Sequence, residues 1–207
     1  MNIPQFIGEF YENSLAGLFN LERIDRNFSH KTADLFGKTF YVESKASRFD
    51  NGGVIKGWQL GELKKLNIEC PYAFSYHELR TPVWKYYPTE RSLKHALTMN
   101  PLKSLHIIPF SVVEARYKQG YKRPYRNTGD DFVQINESLA AKIVAFDEAT
   151  WLNLHLNPLN YFKVKPKGTD NIFILCDNKQ TLEALLSGFN LQAYRKIMRA
   201  KKTKFYQ

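Results

Sequence analysis

Cysteine is scarce in this chain of 207 residues: Cys70 and Cys176 are the only two, far apart and outside any CxxC pair. A disulfide framework and a cysteine-based zinc cluster are therefore both excluded from expectation, and reduced, buried thiols are expected. Long apolar runs are missing as well. None approaches the roughly 20 residues that a membrane-spanning helix needs. The opening stretch MNIPQFIGEFYENSLAGLF carries Glu9 and Glu12 where a signal peptide requires an unbroken apolar centre. The expectation is a cytoplasmic location without membrane association. Acidic residues are also in deficit, 20 Asp and Glu against 30 Lys and Arg, for a formal charge of +10. Such an excess points to an anionic partner, and with the membrane set aside that partner is nucleic acid.

Apolar material is present in quantity. Hydrophobic residues make up 43% of the chain and aromatics 14%, which excludes wholesale disorder. No internal repeat, low-complexity tract or clean linker interrupts the sequence. Residues 5 to 22 carry Phe6, Ile7, Phe10, Leu15, Leu18 and Leu21 at helical spacing. Residues 31 to 45 read as a β-hairpin turning near Gly37 and Lys38. RFDNGGVI reads as a polar loop, KGWQLGELKKL as a short helix packed on the sheet, and YAFSYHE and VWKYYP as aromatic strands. TERSLKHAL is a helix capped by Thr89, and SLHIIPF and VVEARY are strands. NESLAAKIVAF and TLEALLSGF are helical, with NIFILC a buried strand between them. The order predicts an α/β fold, a mixed β-sheet core flanked by helices. The division expected is a core over residues 1–117 and a basic α+β extension over 118–207.

The stretch KTADLFGKTFYVESKAS holds the chemistry. Alternation along the second strand of the hairpin sends Phe40 and Val42 one way and Tyr41, Glu43 and Lys45 the other. Asp34 falls on the polar face, directly or diagonally across from Glu43, at roughly 5–8 Å between Cβ atoms. Two carboxylates so close repel unless a cation lies between them. Mg²⁺ fits: it takes few carboxylate oxygens, keeps several waters and leaves places for phosphate oxygens. The backbone carbonyl of Ser44 is a further candidate ligand. Lys45, two residues on, stands about 7 Å along the same face. There it can orient or deprotonate a water, or stabilise charge on a phosphate. The competing reading is a solvated salt-bridge cluster on an exposed sheet face.

Asp34 followed by YVESKAS resembles the PD-(D/E)xK nuclease superfamily, over residues 8 to about 78. Ala33 stands where the signature has Pro. The resemblance implies a restriction-endonuclease-like core, Mg²⁺ with Mn²⁺ as a substitute, and hydrolysis of phosphodiester bonds by Asp34, Glu43 and Lys45. It also implies a glutamate on the first helix and a glutamine on the helix after ExK. Glu12 is preferred over Glu9, which lies almost opposite the apolar stripe, and Gln59 in IKGWQLGEL is the glutamine. The run YENSL resembles the YERxL of archaeal Holliday-junction resolvases, and VWKYYPTERSLKHAL resembles the region after the core in Gram-positive junction resolvases. A DNA endonuclease selective for branched substrates, working as a homodimer, is the expectation. A restriction-type endonuclease, an exonuclease or a non-catalytic DNA-binding protein remains the alternative. Candidate DNA contacts are Arg48 and Lys56 beside the Gly-rich loop, and Arg116, Lys118, Tyr121, Lys122, Arg123 and Arg126, where bases alternate with tyrosines. Arg26, Ser29, His30 and Lys31 before Asp34, and the basic run from Arg195 to Lys204, are further candidates.

Overall fold

The computed structural model describes residues 2–24, 33–79, 83–100, 102–120, 123–124 and 131–198. The fold is mixed α/β. Helix α1 (Ile3–Phe19) opens on Asn2, whose side chain accepts the Gln5 N–H, with Pro4 in the first turn. It stops at Asn20, which turns left-handed at φ 52°. Strands β1 (Glu22–Arg23), β2 (Leu35–Gly37) and β3 (Phe40–Arg48) follow as antiparallel neighbours. The β2–β3 turn lies at Lys38 and Thr39, because Gly37 pairs with Phe40 and Leu35 with Val42.

After β4 (Gly53–Lys56) and α2 (Gly57–Lys65), strand β5 (Tyr72–His77) returns parallel to β3, with Glu43 opposite Tyr72. Strand β6 (Ser104–Ile108) runs antiparallel to β5. The loop reading of RFDNGGVI needs correction at its end. Its last residues form β4, which pairs with β8 (Asp131–Ile135) in a small sheet completed by β7 (Arg123–Pro124).

Two segments expected as strands are helices. VWKYYP begins with α3 (Val83–Tyr86), followed by α4 (Glu90–Met99), whose capping box joins Thr89 and Ser92. VVEARY lies within α5 (Phe110–Gln119), which starts as soon as Pro109 ends β6. Pro109 is the N-cap and has no N–H with which to extend the β6 ladder, and Val112 and Val113 are buried on the helix face. The remaining elements are α6 (Glu137–Val144), α7 (Glu148–Asn153), a 3₁₀ turn at Pro158–Asn160, β9 (Phe162–Val164), β10 (Ile172–Cys176), α8 (Lys179–Gly188) and α9 (Leu191–Met198). Strand β10 lies between β6 and β9 in the large sheet, whose order is β1-β2-β3-β5-β6-β10-β9. Residues beyond 117 supply β9 and β10 of the large sheet and β7 and β8 of the small one.

Alternation splits the sheet's side chains between two apolar layers. Leu35, Phe40, Val42, Ala73, Leu105, Ile107 and Ile174 pack under α1, α4 and α8. Tyr72, Phe74, Tyr76 and Leu175 pack under α2, α5, α6 and α7. Ala33 joins the second layer. Both thiols are free and buried. Among the described residues no helix is long and apolar enough to cross a membrane.

Two histidines are built into this interior. His77 stacks on Tyr11 at 5.7 Å between ring centroids, and His106 stacks on Phe173 at 5.0 Å. Burial holds both down to about 4, with Arg48 adding to the effect at His77. Unfolded, they titrate near 6.5. The sign follows: the unfolded chain binds these protons first, so their contribution is whole above pH ~6.5 and is lost as pH falls towards 4. Each contributes at most about 3 kcal/mol. His106→Phe is expected to remove one proton from the pH dependence of unfolding between pH 7 and 5, measured by urea denaturation. An unchanged slope would contradict the account.

Candidate active site

The hairpin opens at Asp34. Leu35–Val42 is the last pair in register, and beyond it β3 leans on β5, with Glu43 N–H donating to the Pro71 carbonyl at 3.0 Å. The next N–H, that of Ser44, points the other way into the opening, where Asp34 Oδ2 accepts it at 2.8 Å. An extended strand sends a residue's N–H and C=O to one side, so the Ser44 carbonyl faces the same opening. A short carboxylate at a strand end thus both satisfies a freed backbone donor and stands beside Glu43.

Glu43 is 1% exposed. Its Oε1 accepts from the Lys45 ammonium and from Gln59 Nε2, the latter at 2.5 Å. Lys45 comes from the same strand two residues on, and Gln59 from the first turn of α2. Glu43 Oε2 is buried with no hydrogen-bond partner, as are Ser44 Oγ and the Tyr72 hydroxyl. Desolvation pushes the Glu43 carboxyl up to about 7; Lys45 opposes this, and Asp34 and Glu12 add to it. For Lys45, burial alone lowers the ammonium's pKa. The carboxylates of Glu43, Asp34 and Glu12 outweigh burial and hold it above the ordinary lysine value.

Glu12 arrives from α1. It is 3% exposed and forms an ion pair with Arg23 of β1 at 3.1 Å. Arg23 also donates to Asn13 at 3.1 Å. Glu9, by contrast, accepts from Gln5 one turn back and lines a groove with Glu90, Arg91 and Lys94 of α4. The helix therefore directs Glu12, and not Glu9, into the field of Glu43 and Lys45.

Arg23, Tyr72 and Cys70 belong to this environment although sequence reasoning did not select them. Tyr72 faces Glu43 across the β3–β5 pair, and burial raises its hydroxyl far above the ordinary tyrosine value, with Glu43, Cys70 and Asp34 adding to the rise. The Cys70 thiol is raised by burial and then by Glu43 and Asp34. The parallel pairing of ExK with the CPYAF segment is the signal that places both.

The candidate DNA contacts do not join this cluster. Arg48 is engaged through its Nε and Nη2 by Asp50. Lys118 pairs with Glu114 at 3.0 Å, and Lys64 reaches the same carboxylate at 2.8 Å. Lys56 lies 5.9 Å from the Trp58 ring centroid. Arg116 is on α5 with a buried Nε that lacks a partner. Arg123 pairs by its backbone with Phe132. Tyr121, Lys122 and Arg126 lie outside the described residues, as do Arg26, Ser29, His30, Lys31 and the chain beyond Met198.

The donor set fits a hard divalent cation. A buried carboxylate oxygen without a partner, a second carboxylate beside it and a backbone carbonyl facing the same opening are oxygen ligands of the kind Mg²⁺ takes. Among the described residues no three His, Cys, Asp or Glu side chains stand together as a complete cage. Asp34 and Glu43 would leave the rest of an octahedron to water, backbone and substrate. The chain matches no known family model, no curated protein and no solved structure.

Proposed function

We propose that this chain is a Mg²⁺-dependent DNA endonuclease of the PD-(D/E)xK kind, a phosphodiester hydrolase acting in the cytoplasm on branched DNA as a homodimer. The observation that carries the reading is the convergence at one strand opening of Asp34, Glu43, Lys45 and Gln59, with one Glu43 oxygen buried and unpartnered. The order of elements supports it too: a helix with an inward glutamate, a hairpin, the ExK strand, a helix with an inward glutamine, and a strand parallel to ExK. The charge of +10 suits a polyanionic substrate.

Asp34 and Glu43 would hold the cation, with the Ser44 carbonyl offering a third oxygen; Mn²⁺ is the expected substitute. When bound, the cation supplies a Lewis acid for the phosphate and lowers the pKa of a coordinated water. The chain's own groups do the rest. The Lys45 ammonium donates to the attacking water or to a phosphate oxygen as negative charge develops. Gln59 holds the Glu43 carboxylate in place through its amide. Glu12, paired with Arg23 at 3.1 Å, is the group that would orient a water near Glu43.

One site cuts one strand, so paired cuts across a junction require two sites, and a two-fold dimer is the commonest way to supply them. The test is cleavage of a four-way junction, a supercoiled plasmid and a linear duplex, each with Mg²⁺ or EDTA. Mg²⁺-dependent nicking with the junction preferred is expected. Digestion of linear DNA from its ends by a monomer would move the protein to the exonucleases. Strong DNA binding without cleavage under any metal would leave only a non-catalytic binder.

A further inference from the structure

The helix that carries Gln59 exposes a tryptophan. Trp58 is 48% exposed, although the segment was expected to pack on the sheet. Tryptophan is highly buried on average, so a half-exposed indole on the helix that holds Glu43 is a candidate contact surface. Its sequence neighbour Gln59 bonds Glu43, so the first turn of α2 carries both the indole and a side chain that reaches the site. The Lys56 ammonium stands 5.9 Å from the ring centroid. One turn along α2, Gly61 is exposed, and a Cβ placed there would meet nothing within 4 Å. The surface beyond the ring is therefore bare backbone, open to a flat group.

We propose that Trp58 is a stacking platform for an unpaired nucleobase, with Lys56 placed for the phosphate attached to it. The inference rests on the nuclease reading and names its substrate class: DNA whose bases are unpaired next to the cleaved bond. In a continuous duplex both faces of each base are covered by neighbours. A base at a junction, flap or single strand offers a free π-face, and aromatic stacking then contributes without regard to sequence.

The test uses the full chain in EDTA, with a short oligothymidylate and a blunt duplex of equal length as probes. Trp58→Ala is expected to weaken oligothymidylate binding about 5- to 100-fold, with a smaller effect on the duplex. Trp58→Phe is expected to keep most of the affinity while losing the quenching of intrinsic fluorescence that the oligonucleotide causes in the wild type. A purely structural tryptophan would not separate affinity from quenching in this way. Equal affinity of wild type and Trp58→Ala, or quenching that persists in Trp58→Phe, would overturn the stacking role. Metal-dependent cleavage alongside either of those results would leave the nuclease reading standing. Failure of the wild type to bind either probe would overturn both.

Discussion

Replacing Asp34 or Glu43 with alanine is expected to lower DNA cleavage by about a thousandfold or more. Each carboxylate is half of the pair that would hold the cation, and a Mg²⁺ site built on one or two carboxylates has no ligand to spare. Glu43→Ala also takes the acceptor from Lys45 and Gln59, and Asp34→Ala takes the acceptor from the Ser44 N–H, so circular dichroism is used to confirm that each variant folds. DNA affinity measured in EDTA should stay level or rise, because a negative charge near phosphate is lost. The check is a single-turnover rate on the junction substrate beside a binding isotherm. Normal cleavage by either variant would contradict the assignment.

Lys45→Ala is expected to slow cleavage by about 10²- to 10³-fold, the cost of removing one well-placed donor to developing charge. Metal affinity should remain, since an ammonium ligates nothing. Lys45→Arg should restore little, because a planar fork replaces a compact point charge in a packed position already shared with Glu43. The rate and the metal isotherm, measured on the same preparation, separate the two roles. Full activity would remove Lys45 from the chemistry, and lost metal affinity would make it a support for Glu43 alone.

Much of this site was legible because its geometry is local. Period-two alternation places Glu43 and Lys45 on one face whichever tight turn joins the strands, and helical phase separates Glu12 from Glu9. What was not legible depends on the chain being brought back on itself. Arg23 meets Glu12 only because β1 is laid against α1. The unpartnered Glu43 oxygen exists only because α2 and β5 cover the strand. VVEARY and VWKYYP are rich in β-branched and aromatic residues, and by composition they read as strands. Pro109 ends β6 and starts α5, so position in the chain overrode propensity. Trp58 went astray for the opposite reason. Its apolar character assigns it to the interior, whereas the phase of α2 groups it with exposed Gly61 and Lys65.

The most direct measurement is a calorimetric titration of Mn²⁺ into the wild-type chain and into the Asp34→Asn/Glu43→Gln double variant, with no DNA present. The account predicts one cation bound per wild-type chain and none in the variant, both proteins giving the same circular dichroism spectrum. Equal binding by the two, or none by the wild type, would contradict it.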